Sequence, residues 1–480
     1  MKFSITPSRE NSNHNILYKS FKLVLAPSTV ALEITVFTVG DVWCSYILYD
    51  GNGNIRGEYI GTSTPQPVIV TENAQFSPNT ISGSFGSAPW CLEVCGIMKE
   101  NTSLEKIKIE IEVTEKDKDQ LKNLEESLHT ENPWYSIEQG VFELTYENPQ
   151  NTKEETKWYR GDFHTHTIYS DGKMSREENL IQAEKMGLDF FTATDHNIVP
   201  TSWPHSTEVL VIPGVEITSP HGHYNQIGVR SSPFQDKGFL LLQSTESLAE
   251  SFEKKETQHH LNSINHPFLG EWKWLAGETN LNQVDAIEIW NDPTYHSNPD
   301  ATEKALLAWD QVLSDGYKIT GIGGSDSHLR PEDRYSEAEL PSLIGDPSTY
   351  VFSEKLDIPS IISHVKAGNV WVSRFDCKID FSVDGQIAGS RLPYQDQVTA
   401  FAKVTGIDAC TIEWIINGEI KDIEKASESQ RSFEFAEDSY YYIRITIRDL
   451  EGELIGFTNP VYFGEKQPSL TYWRELVEDL

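Results

Sequence analysis

The sequence predicts an alternating α/β unit set between two β-sandwiches, on three observations. Between residues 158 and 374, apolar runs of strand length alternate with amphipathic stretches of helical period, the pattern of parallel strands joined by crossover helices. On either side, short β-branched and aromatic runs are cut by turn signals. Within the middle segment, clusters of histidine and carboxylate follow the apolar runs, and eleven of the fourteen histidines lie between Gly161 and His328.

Taken in order, residues 1–114 read as the first sandwich. Runs at 21–25, 30–37 and 43–49 have strand composition, and Ile107, Ile109, Ile111 and Val113 alternate with charges, the period of a half-buried strand. No chemistry is expected there. Residues 115–157 are dense in charge with leucines at Leu121, Leu124 and Leu128, which suits a solvated helix or linker. The α/β unit follows over 158–375. In it Ser175-Arg176-Glu177-Glu178 is a capping box, Gly187 a helix stop, and the run 188–194 a strand leading into Asp195-His196. β patterning returns over 376–465, with Asn417-Gly418 as a hairpin turn, and 466–480 reads as a terminal helix or tail.

Composition excludes some classes. A net charge of −34 repels phosphate backbones, so general nucleic-acid binding is not expected, although a local basic pocket for a small anion stays open. No window approaches the ~18 apolar residues of a membrane span, and residues 1–7 lack a signal peptide's apolar region. A cytoplasmic location is the expectation. The cysteines Cys44, Cys91, Cys95, Cys377 and Cys410 are scattered, as reduced thiols are. The oligomeric state is not fixed by the sequence.

Five clusters carry the chemistry: His164-Thr165-His166 with Asp171; Asp195-His196; Gly214-Val215-Glu216 with His221-Gly222-His223; Asn265-His266-Pro267; and Gly324-Ser325-Asp326-Ser327-His328. Each offers the nitrogen and oxygen donors that divalent ions take. Residues two apart on extended backbone share a face, so His-x-His can present two imidazoles to one ion. Singly these motifs are weak; five of them, each after an apolar run, define a metal site.

The same motifs, with Ser170-Asp171-Gly172 and Thr194-Asp195-His196-Asn197, resemble those of the PHP (polymerase and histidinol phosphatase) metallohydrolases. The set Val215-Glu216-Ile217-Thr218, Gly222-His223-Tyr224-Asn225 and Glu288-Ile289-Trp290-Asn291 is most similar to the CehA/McbA-type branch, named for carbaryl hydrolase. The resemblance implies a distorted TIM-like (β/α)7 barrel, flanked here by the two sandwiches, with two or three divalent ions (zinc, manganese or iron) at the carboxyl ends of its strands. It implies one ion on His164, His166, Glu216 and Asp326. A second would share Glu216 and add His223 and His266, with His221 as the alternative to His223, and a third would take Asp171, His196 and His328.

The implied activity is ester hydrolysis by a metal-bridging hydroxide. A small phosphate ester is the first expectation, a carboxylic ester or carbamate the second, and a non-catalytic binding module a distant third. Asp195 is the candidate to orient His196 or accept a proton, alongside Glu216 and Asp326 as catalytic carboxylates. Arg374 and Arg330, with Arg334, are candidates for holding an anion. His205 and His296 are candidates for protonating a leaving group, and Trp203, Trp272, Trp274 and Trp290 for walling a pocket.

Overall fold

The computed structural model describes residues 1–8, 12–13, 16–61, 64–98, 106–122, 132–135, 143–145, 152–205, 208–252, 260–435 and 440–478. Two antiparallel sheets form the N-terminal sandwich. One pairs Lys2–Ile5, Lys108–Lys116, Ala31–Val39 and Val68–Thr71 in that order, and the other pairs Ser12–Asn13, Ile16–Leu23, Trp90–Met98, Val42–Tyr49 and Ile55–Gly61. Strand alternation divides the second sheet's side chains between two cores. Along Val42–Tyr49, Cys44, Tyr46 and Leu48 fill the sandwich interior. Ile47 enters the core of the central unit, and the Tyr49 hydroxyl donates to Phe234 O at 3.1 Å. In the predicted linker a single helical turn, Lys118–Lys122, is present; Leu124 and Leu128 lie outside the described residues.

The central sheet carries β1 (Lys157–Asp162), β2 (Phe190–Ala193), β3 (Leu210–Ser219), β4 (Gly222–Ile227), β5 (Leu261–Ile264), β6 (Ala286–Asn291), β7 (Thr320–Gly324), β8 (Ser348–Ser353) and β9 (Val370–Ser373). β1 to β7 lie side by side in chain order, and β8 and β9 follow on the other side of β1. The expectation of parallel strands throughout is corrected. Pairs β1–β2, β2–β3, β5–β6 and β6–β7 are parallel, whereas β3–β4, β4–β5, β1–β8 and β8–β9 are antiparallel. Between β3 and β4 the cause is local: Pro220 and His221 alone join them, too short a link for a crossover. Helices α1 (Arg176–Lys185) and α3 (Asn298–Ser314) do make crossovers, while α2 (Thr245–Ser251) and α4 (Ile358–Ala367) flank antiparallel pairs. The capping box on α1 forms as the sequence predicts, Ser175 accepting from Glu178 N and Glu178 from the backbone of Ser175.

Beyond β9 the predicted boundary at 375 is not a break in hydrogen bonding. β9 pairs antiparallel with Leu454–Thr458, which continues through Tyr440–Arg448, Thr411–Ile416 and Glu419–Glu424. A three-stranded sheet of Lys378–Val383, Gln397–Thr405 and Glu428–Glu434 packs over them around Phe381, Trp414 and Ile445. A short helix, Trp473–Val477, returns the chain to the central core through Trp473. No helix among the described residues is long and apolar enough to cross a membrane.

The contact between the first sandwich and the central unit is sealed by a buried carboxylate. Glu58 accepts from Val199 N at 2.9 Å and from Ser232 Oγ at 2.5 Å, and burial pushes its carboxyl up to about 7 against these bonds. The folded chain therefore holds a proton that the unfolded chain loses near 4.5, so this contribution to stability is complete below that pH and is lost as pH rises to about 7. By linkage the loss amounts to up to roughly 3 kcal/mol. Glu58→Gln should lack it: urea unfolding between pH 4.5 and 8 should show the stability gap between wild type and variant shifting toward the variant as pH rises. A gap independent of pH contradicts this role.

Candidate metal centre

The clusters converge on the carboxylate of Glu216, near the end of β3. Glu216 and Thr218 share a face of β3, and Thr218 stands opposite His223 on β4, so the tight β3–β4 turn brings His223 Nδ1 to 3.2 Å from Glu216 Oε1. Of the histidine pair on this turn, it is His223 that reaches the centre. Four more rings surround the same carboxylate: His164 Nε2 at 3.3 Å, His166 Nε2 at 3.5 Å, His196 Nδ1 at 2.7 Å and His266 Nε2 at 3.4 Å. Asp326 Oδ1 lies 3.3 Å from His164 Nε2 and 2.9 Å from His166 Nε2. Asp171 Oδ1 lies 3.3 Å from His196 Nε2 and 3.2 Å from His328 Nε2.

All nine candidate ligands fall into compact groups whose donor atoms lie within 4.8 Å of one another: His166, Asp171, His196 and His328; His164, Glu216 and His266; His164, His166 and Asp326; and His196, Glu216 and His223. The partition differs from the expected one: Glu216 is not grouped with His166 and Asp326, His266 sits with His164 and His223 with His196 rather than with each other, and His166 also joins Asp171, His196 and His328. Donors about 2.1 Å from one tetrahedral ion stand about 3.4 Å apart, the spacing seen here. The donor atoms His164 Nε2, His166 Nε2, Asp171 Oδ1, Glu216 Oε2 and Asp326 Oδ1 are buried yet have no hydrogen-bond partner. Buried polar atoms are rarely left so, and their convergence fits divalent ions.

The electrostatics agree. Burial opposes charge on His164 and on His196, but the carboxylates outweigh it and raise both well above the ordinary imidazole value: Asp326, Glu288 and Glu216 around the first, Asp171 and Glu216 around the second. His328 is likewise held up, to about 9, against burial and chiefly by Asp171 and Asp326. His166 goes the other way, to about 4, through burial and the neighbouring His328 and His196. This is the field of a site that needs positive charge at its middle.

Buried groups that the sequence reading did not assign hold the donors in place. Glu288 Oε1 lies 2.9 Å from His164 Nδ1, and its Oε2 accepts from His266 N at 2.9 Å and Asn291 Nδ2 at 3.2 Å. A bulge in β6 lets Glu288 and Asn291, three residues apart, reach the same point. Asn291 Nδ2 also donates to Asp326 Oδ2, and Asn265 Nδ2 to Glu216 Oε1. Asp162 Oδ1 accepts from His164 N and Ser325 N, and its Oδ2 from Gly345 N, tying the loops after β1 and β7 together. Gly324 is required where it stands, because a Cβ there would come within 2.5 Å of the His164 Cβ and 2.6 Å of Glu288 Oε1. A contact from outside the central unit was also unforeseen: the Trp43 ring of the first sandwich lies 5.2 Å from that of His196.

The other expected residues lie outside these groups. Asp195 joins none of the groups. Its Oδ1 accepts from Thr167 N and Ser170 Oγ, and its Oδ2 from Thr167 Oγ1, each at 2.7 Å, so it braces the loop after β1. The fork of Arg374 closes on Asp346, with Nε and Nη2 each 2.9 Å from a carboxylate oxygen. Arg330 is exposed beside Glu178 at 4.0 Å, and Arg334 donates to Glu339 O. His205 and His296 are exposed and outside the donor groups. Trp203, Trp274 and Trp290 are core residues; Trp272 is exposed, 6.0 Å from the Tyr295 ring.

No family model matches the chain, and no curated protein is significantly similar to it. Among solved structures it is similar to a two-domain protein of Bacteroides vulgatus containing a predicted PHP-like metal-dependent phosphoesterase. That match has 16% identity and a TM-score of 0.36, over 64% of this chain and 96% of that one. A candidate metal-dependent phosphoesterase of Bifidobacterium adolescentis matches at 12% identity and a TM-score of 0.21, over 38% of this chain and 92% of that one. Overlaps this loose do not establish a shared fold, and the assignment of the centre rests on its own side chains.

Removing the brace should weaken the donors it holds. Glu288→Ala should lower metal affinity by about 10- to 100-fold, as loss of a carboxylate behind a ligand histidine does, in a titration of chelator-stripped protein. Wild-type affinity in the variant would show that Glu288 does not position His164.

Proposed function

We propose that the protein is a metal-dependent hydrolase of ester bonds, and that it is a phosphoesterase of the PHP type its motifs resemble. The observation that carries this is the sharing of donors. Glu216 belongs to two groups, one with His164 and His266 and one with His196 and His223, so its two carboxylate oxygens could serve neighbouring ions, as in the adjacent-ion sites that act on phosphate esters. Divalent ions in such a set supply a water acidified towards neutral pH and positive charge for the substrate's oxygens. Histidine with carboxylate suits zinc, manganese or iron.

The chain's own residues do the rest. Asn291 and Asn265 orient the carboxylates of Asp326 and Glu216, Glu288 fixes the ring of His164, and Asp195 with Asp162 anchors the loops that present His166 and Asp326. Substrate enters beside Asp171 and His328, whose side chains are each 24% exposed while His164, His166 and Glu216 are at 0%. On this reading residues 158–375 are the catalytic unit. The chain order of β1 to β7, with Asp326 N donating to His164 O and His166 N to Ser327 O, supports the distorted seven-stranded barrel that the resemblance implies.

A second reading, hydrolysis of a carboxylic ester or carbamate at the same centre, is favoured by the closure of Arg374 on Asp346 and by the indole beside His196. Parallel assays separate the two. Protein purified without chelator should cleave bis-para-nitrophenyl phosphate, lose that activity to chelator and recover it with zinc or manganese. Cleavage of para-nitrophenyl acetate alone would select the second reading, and metal-loaded protein inert to both would contradict each.

A further inference from the structure

Trp43 reaches the metal centre for a reason written in its strand. Along Val42–Tyr49 the even-numbered side chains fill the first sandwich, and the odd-numbered row faces the central unit: Ile47 in its core, Tyr49 bonded to Phe234 O, and Trp43 against His196 with the rings inclined by 51°. The same sandwich makes a second contact nearby, where Thr64 Oγ1 donates to Tyr169 O at 3.1 Å in the loop that carries Asp171. His166, Asp171, His196 and His328 form one donor group, and two of its members, Asp171 and His328, are the most exposed ligands of the centre. The sandwich therefore borders the mouth. Trp90 in the same sandwich is 1% exposed. Trp43 instead keeps part of its surface open.

We infer that Trp43 is a specificity-determining residue of the centre, an apolar wall contributed by the N-terminal sandwich that favours esters with an aromatic group over those with a small alkyl group. Resting on the reading of the centre as an ester hydrolase, this gives the first sandwich a role in substrate choice. An aromatic face adds ring-on-ring attraction to the burial of the ligand's own ring, and this is worth about tenfold in affinity.

Phenylphosphonate and methylphosphonate, which are not hydrolysed, test it by titration calorimetry on the metal-loaded full chain. Wild type should bind the phenyl compound about tenfold more tightly. Trp43→Ala should keep its metal content and its methylphosphonate affinity, while the phenyl preference falls to about twofold or less; Trp43→Phe should retain most of it. If thermal unfolding shows Trp43→Ala to be misfolded, Trp43→Leu, which keeps apolar bulk without a ring, carries the same expectation. Absence of a phenyl preference in wild type, or its survival in a folded ring-less variant, overturns the inference. Wild-type protein that holds no metal and binds neither phosphonate would sink the hydrolase reading itself, and this inference with it.

Discussion

A carboxylate buried without compensation costs several kcal/mol, and the cost rises when its neighbours are themselves buried and polar. Glu216 is such a group, fully buried with five imidazoles within 3.5 Å. No helix or loop surrounds it with that many rings by itself. The donors come instead from the ends of β1, β2, β4, β5 and β7, and backbone bonds between the loops after β1 and β7, Asp326 N to His164 O and His166 N to Ser327 O, help to gather them around one point. The turn between β3 and β4 that breaks the parallel pattern is part of the same solution, since it returns His223 to the carboxylate it must meet.

Backbone strain marks where the chain is held to this purpose. Asp326, His266 and Asn197 have φ of 47°, 27° and 51°, left-handed conformations that cost a non-glycine residue of order 1 kcal/mol or more. Each is fixed by a bond within the centre: Asp326 N to His164 O, His266 N to Glu288 Oε2, and Asn197 N to Glu216 O. The donors thus sit on backbone that the surrounding carboxylates and strand ends determine, which is how a rigid scaffold presents reactive groups from loops.

The convergence of the candidate ligands was legible because most of them stand at a short distance after an apolar run, and strand period converts such spacing into a shared direction. The mixed sheet was not, because a two-residue link between β3 and β4 looks like any other turn until its partner strands are known. Glu288 entered the sequence reading only as part of a motif, although its setting signals a place in the site: a carboxylate inside the apolar run Ala286-Ile287-Glu288-Ile289-Trp290 has to find a buried partner. Sequence adjacency suggested that Asp195 shares a task with His196, whereas its carboxylate accepts from Thr167 and Ser170 in the loop after β1. The contact of Trp43 with His196 spans 153 positions, and no local pattern encodes a packing between domains.

Glu216 belongs to two of the donor groups, so metal stoichiometry is the most direct test of the centre. Elemental analysis of protein purified without chelator should give two or three divalent ions per wild-type chain, and Glu216→Gln, which keeps the shape of the side chain and removes its charge, should lose at least one of them while remaining folded. A folded variant with the wild-type metal content, or a wild-type chain with no metal, would contradict the assignment of Glu216 as the shared ligand around which the fold is built.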